Sequence, residues 1–82
     1  MSFFDRVRRM LPGRVPSAPL QRGVHLLDRG RLDDAEAAFA VALAEAAGPA
    51  EEAAARNKLA IVAIRRGERE RAVEELTAAL EA

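Results

Sequence analysis

Two stretches, Gly30-Arg31-Leu32-Asp33-Asp34-Ala35-Glu36 and Gly67-Glu68-Arg69-Glu70-Arg71-Ala72-Val73, decide the reading of this sequence. Set one above the other, they put a glycine, an acidic residue and a small residue at matching places, 37 residues apart. The register holds on both sides. Going back, Arg29 lies over Arg66, Leu27 over Ile64 and Val24 over Ile61. Going forward, Phe39 lies over Leu76, Ala42 over Ala79 and Leu43 over Leu80. Self-similarity at a period of about 20–50 residues marks an array of repeated supersecondary units.

Each unit reads as a helix, a glycine turn and a second helix. The first helix is expected over residues 19–29, with Pro19 in the first turn, where its missing N–H costs nothing. Gly30 supplies the positive φ that closes a helix, and Asp33, Asp34 and Glu36 put negative charge at the start of the next. That second helix is expected to reach about Ala47. Gly48-Pro49 stops it and starts a third, with Glu51 and Glu52 in the first turn. Gly67 ends the third helix, and a fourth runs from about Arg69 onward. Ala dominates the composition and Arg outnumbers Lys twelve to one. Ala, Leu, Glu and Arg all rank high in helix propensity, so composition also argues for an all-α chain.

The residues at these positions resemble the tetratricopeptide repeat family. Unit one supplies Gly23, Leu26, Gly30, Ala35, Phe39 and Ala42 at the spacing of the family signature. Unit two supplies Leu59, Ala60, Ala63, Gly67, Ala72, Leu76 and Ala79. Small residues let the helices of a hairpin cross closely, and large apolar ones fill the gaps between layers. The resemblance covers residues 19–82, in units 19–47 and 50–82. It implies two helix–turn–helix hairpins, a fragment of an α-solenoid. This sequence departs from the pattern at the tryptophan-like position, which falls on Pro19 and Arg56, and in its period, 37 rather than about 34.

The resemblance also implies a partner-binding groove lined by the first helix of each unit. On matching positions here that groove comprises Gln21, Val24, Leu27 and Asp28, then Asn57, Lys58, Ile61, Ile64 and Arg65. Family members that clamp a carboxylate hold an asparagine just before the apolar–small pair. Lys58 stands there, before Leu59-Ala60, and Asn57 is displaced by one.

An array buries each apolar face against the next hairpin and normally ends in a polar cap. Val73, Leu76 and Leu80 are expected to pack inward. The outward face of unit two is expected along Ala60 and Ala63, covered by the N-terminal helix, a second copy or a partner.

Residues 1–11 form a separate element. Ser2 and Asp5 resemble a capping box. On a 3.6-residue period Phe3, Phe4, Val7, Met10 and Leu11 share a sector about 120° wide, flanked by Arg6 and Arg8. This reads as an amphipathic docking helix, too short to be stable alone. Residues 12–18, rich in proline, form a stiff linker. The helix can cover its own repeats, enter a partner's groove or lie on an anionic membrane, its arginines reaching to phosphates.

Charge is balanced overall, 13 basic against 13 acidic residues. It is unevenly placed. Residues 1–22 hold Arg6, Arg8, Arg9, Arg14 and Arg22 against Asp5, and the rest hold eight basic against twelve acidic groups. The basic residues cluster at one end and the repeats are acidic, with no Trp or Tyr to stack on bases, which argues against nucleic acid.

No cysteine is present, so disulfides and thiolate metal sites are excluded. His25 is the only histidine, and no set of ligands surrounds it in sequence. Asp33-Asp34, Glu51-Glu52 and Glu74-Glu75 read as helix-start charges or solvated faces. No nucleophile sits beside a base and no glycine loop cradles a phosphate.

The expectation is a non-enzymatic interaction module or small assembly subunit, without metal, cofactor or small-molecule substrate. Its partners are proteins, own copies or a larger complex; the alternatives are a peripheral membrane adaptor held by residues 2–11 and a self-assembling structural protein. No stretch approaches the ~20 apolar residues of a membrane span, and no secretory signal is apparent, so a cytoplasmic place is expected, with peripheral membrane attachment as its variant. Ala- and Arg-rich usage points to a GC-rich bacterial source.

Overall fold

The structure is a computed structural model that describes residues 17–81. Among these residues it is entirely helical: α1 (Ala18–Asp28), α2 (Leu32–Ala44), α3 (Pro49–Arg65) and α4 (Arg69–Glu81). The docking helix expected over residues 1–11 and most of the linker expected over 12–18 lie outside the described residues.

The linker's last residue, Ala18, is already helical. Ser17 sets this start, because its hydroxyl accepts the Leu20 N–H at 3.2 Å, and Pro19 sits in the first turn behind it.

Both glycine turns have one geometry. The Gly30 N–H donates to the Leu27 carbonyl at 2.9 Å and the Arg31 N–H to the Leu26 carbonyl at 3.0 Å. In the second turn, Gly67 donates to Ile64 at 3.0 Å and Glu68 to Ala63 at 2.8 Å. This paired closure requires a left-handed residue, and the two glycines have φ 76° and 78°. The next helix opens at once, as Ala35 donates to Arg31 and Ala72 to Glu68.

Helix α2 ends at Ala44, three residues before the expected Ala47. Its final carbonyls take bonds from Glu45 and Ala46. The Ala47 N–H turns instead to the Glu51 carboxylate of α3, at 2.8 Å. A side chain of the following helix thus captures the donor that would have extended α2.

Helices pack in chain order: α1 on α2, α2 on α3 and α3 on α4, with a small contact between α1 and α3 and none between α1 and α4. The main core joins Leu27, Ala35, Phe39, Leu59 and Val62. Leu59 and Val62 of α3 therefore close over Leu27 of α1 and Phe39 of α2. Gly23 lets Phe39 in, since a Cβ there would lie less than 3 Å from three atoms of the ring. A second cluster of small residues, Ala60, Ala63 and Ala72, forms the α3–α4 crossing.

Ion pairs tie α2 to the α3–α4 turn. Arg66 meets Glu36 at 3.0 Å and also pairs with Asp33, and Arg71 meets Glu36 at 2.6 Å. The hydrogen bond from Arg71 to Glu36, and then the charge of Glu36, raise the Arg71 pKa above the ordinary arginine value. Arg56 bridges Glu52 and Glu75, at 3.3 and 3.4 Å, across α3 and α4.

Candidate functional site

Two surfaces compete for the role of site. The first is the expected groove between α1 and α3. Gln21, Asp28, Asn57 and Arg65 are exposed, and Val24, Lys58 and Ile61 are half-buried. Val24 and Ile61 pack on the core, so they form a floor and not pockets. Leu27 is a correction. It is only 5% exposed and belongs to the core, because α3 closes over it. Arg65 donates to the Leu27 carbonyl at 3.0 Å, so its guanidinium joins the ends of α1 and α3.

The second surface departs from the sequence expectation. Val73, Leu76 and Leu80 are exposed rather than packed inward, at 57%, 39% and 88%, and Ile64 on α3 is 59% exposed. Conversely Ala60 and Ala63, expected to meet water, are buried at 0% and 2% in the α3–α4 crossing. The inversion has a simple cause. The small residues are consumed by the close approach of α3 and α4, and the large ones left over face outward.

These four apolar side chains share one face. On α4, Arg71 reaches to α2, and Val73, Leu76 and Leu80 centre about 170° around the helix from it. On α3, Leu59 and Val62 point into the core with α2, and Ile64 again falls about 170° from them. The row therefore lies on the side of the α3–α4 pair opposite α2. Glu70, Glu74 and Glu81 run beside it along the outer edge of α4, about 90–130° from its centre. None of these carboxylates has an ion-pair partner among the described residues.

The 37-residue register explains the face. Ile64, Leu76 and Leu80 correspond to Leu27, Phe39 and Leu43. Leu27 and Phe39 are 5% and 0% exposed, with Leu43 packed on the same core, because α3 covers them. Their counterparts in the second pair have no covering helix among the described residues. Apolarity marks both sets for packing, and the alignment of the two units carries the further signal: the second set is covered only where another helix stacks on the α3–α4 pair as α3 stacks on α1 and α2.

No protein-family model, curated protein or solved structure matches this chain.

Among the described residues no group of three or more His, Cys, Asp or Glu could hold a metal ion. No described helix is long and apolar enough to cross a membrane. His25 is exposed. Of the acidic pairs, Glu51 caps Ala47, Asp33 pairs with Arg66, and Glu75 bridges to Arg56, so these three serve the fold. An open cleft of about 550 Å³ lies over Gly30–Asp34 and Arg66, above the ion pairs. A smaller apolar hollow of about 230 Å³ lies between α1 and α2, lined by Ala18, Pro19, Arg22, Ala38 and Val41.

Proposed function

We propose that this chain is a non-enzymatic protein–protein interaction module, two tetratricopeptide-like hairpins that receive a helix of another polypeptide on the α3–α4 face. The scaffold reading is supported by the two identical glycine turns and by the close approach of Phe39 to Gly23. One observation carries the binding reading. Residues buried beneath a helix in the first pair, Leu27 and Phe39, have counterparts in the second, Ile64 and Leu76, that nothing covers among the described residues. A helix seated there repeats a packing the molecule already makes once. The apolar row supplies affinity through burial, and the carboxylates at its edge select a helix with basic flanks. The groove of Gln21, Asp28, Asn57 and Lys58 is a subsidiary surface, polar at its rim and shallow.

The natural probe is a peptide of residues 49–65, since α3 fills the equivalent seat in the first pair. Nitrogen-15-labelled chain is titrated with it, alongside the Phe3→Ser/Phe4→Ser variant in case the amphipathic segment already holds the seat. Shifts at Ile64, Val73, Leu76 and Leu80, lost in Leu76→Glu, are the expected result. Shifts confined to Gln21, Val24 and Asn57, or none in either protein, would overturn it.

A further inference from the structure

Resting on that helix-binding reading, we infer that residues 3–11 of the same molecule occupy the α3–α4 face, so that a partner helix must displace them. The helix that covers the first pair, α3, carries Ala55, Leu59 and Val62 at spacing i, i+4, i+7, all of them buried, with Leu59 and Val62 packed on Leu27 and Phe39. Phe3, Val7 and Met10 carry apolar side chains at that same spacing, with Phe4 and Leu11 beside them. The segment thus has the pattern of the helix that fills the equivalent seat.

Charge selects this occupant over the alternatives. Residues 1–16 hold four arginines against one aspartate, and residues 17–82 hold nine basic against twelve acidic groups. Arg6 and Arg8 flank the apolar sector of the segment about 100° to either side of its centre. Set on the α3–α4 face, one of these arginines falls beside Glu70, Glu74 and Glu81 on the α4 edge, which have no ion-pair partner among the described residues. Two α4 helices set antiparallel against each other would instead bring like acidic flanks together, as equivalent flanks meet in an antiparallel pair. The hollow between α1 and α2 lies nearer the segment in sequence, yet it offers one large exposed apolar residue, Val41, and places Arg22 against the arginines.

The connection can reach. α1 touches α3, and a helix seated on the α3–α4 face is about two helix spacings from α1, roughly 18 Å. Six residues, from Leu11 to Ser17, span about 20 Å when extended. A stiff tether whose length matches the span is the case in which effective concentration is greatest. The segment on its own chain therefore outcompetes a second copy at ordinary protein concentrations.

The chain has no cysteine, which allows a clean test. A nitroxide is attached to Ser2→Cys in the full chain, and paramagnetic broadening of backbone amides is read by NMR. Loss of the Ile64, Val73, Leu76 and Leu80 signals is expected, and Phe4→Ser with Val7→Ser should restore them. In a mixture of nitroxide-bearing unenriched chain with nitroxide-free nitrogen-15 chain the signals should survive, since the contact is within one molecule.

Broadening centred on Ala18 and Val41, broadening that appears in the mixture, or none at all would overturn the inference. Capture of the label by phosphatidylserine vesicles without prior broadening overturns it in favour of a membrane. The two proposals fail separately. If peptide 49–65 shifts the face of the Phe3→Ser/Phe4→Ser variant while the nitroxide broadens nothing there, the face binds helices and the intramolecular contact is wrong. If neither reaches the face, the helix-binding reading falls too.

Discussion

The Phe39 ring fills the space that a side chain at position 23 would need. Glycine inside a helix normally costs about 0.5–1 kcal/mol relative to alanine, so Gly23→Ala in an open position would stabilise the chain. Here the added methyl meets the ring of the largest fully buried residue, and overpacking of this kind costs about 1–3 kcal/mol. Gly23→Ala is expected to lower the urea midpoint, and Phe39→Leu in the same chain should recover part of the loss. A rise in midpoint on Gly23→Ala would mean that the two helices do not approach this closely.

Much of this fold is legible in the sequence because its determinants are local. A glycine with a carbonyl three residues back closes each turn, and a small residue opposite a large one sets each crossing. Those patterns repeat at 37 residues, so each unit checks the other. What is not legible depends on partners remote in sequence. Arg66 and Arg71 meet Asp33 and Glu36 over 33 to 35 residues, and nothing in the local pattern announces it. Apolarity shows that Leu76 and Leu27 belong on packing faces, but only the stacking order of the helices says which face is covered. For that reason the sequence pattern assigns Leu27 to a groove and Val73, Leu76 and Leu80 to the core, and the structure reverses both assignments.

The two turn glycines provide a matched pair. No atom lies within 4 Å of the place a Cβ would take on either one, so Gly30→Ala and Gly67→Ala each test backbone strain alone. At φ 76° and 78° an L-residue costs about 1–2 kcal/mol. Both substitutions should lower stability by similar amounts in thermal or urea unfolding, and the double variant should lose close to the sum, as the sites are far apart. A neutral Gly67→Ala would show that the second turn does not hold its left-handed residue in solution.

Glu36 receives both Arg66 and Arg71, while the Arg66 Nε is buried with no hydrogen-bond partner among the described residues. Glu36→Gln should therefore loosen α2 from the α3–α4 turn. These side chains are a quarter or more exposed, so the loss is small, about 0.5–1 kcal/mol. It should shrink in 1 M NaCl, where the screening length falls to about 3 Å. Denaturation of the two proteins at low and high salt measures this directly. An undiminished difference at high salt would assign the effect to packing of the Glu36 stem rather than to charge.

Phe39 and Leu76 occupy matching places 37 residues apart, one sealed and one open, and their substitution should separate packing from docking. Phe39→Ala removes a fully buried ring and is expected to cost about 3–5 kcal/mol, enough to unfold much of so small a domain. Leu76, 39% exposed among the described residues, loses far less if that face stays bare, under about 1 kcal/mol. If residues 3–11 lie over it, Leu76→Ala costs more, and the excess disappears when Phe3 and Phe4 are serine. A double-mutant cycle on urea stability reads that coupling, which for side chains in contact is about 0.5–3 kcal/mol. Zero coupling would leave the α3–α4 face bare in the free protein, so that a partner helix could dock on it without first displacing anything.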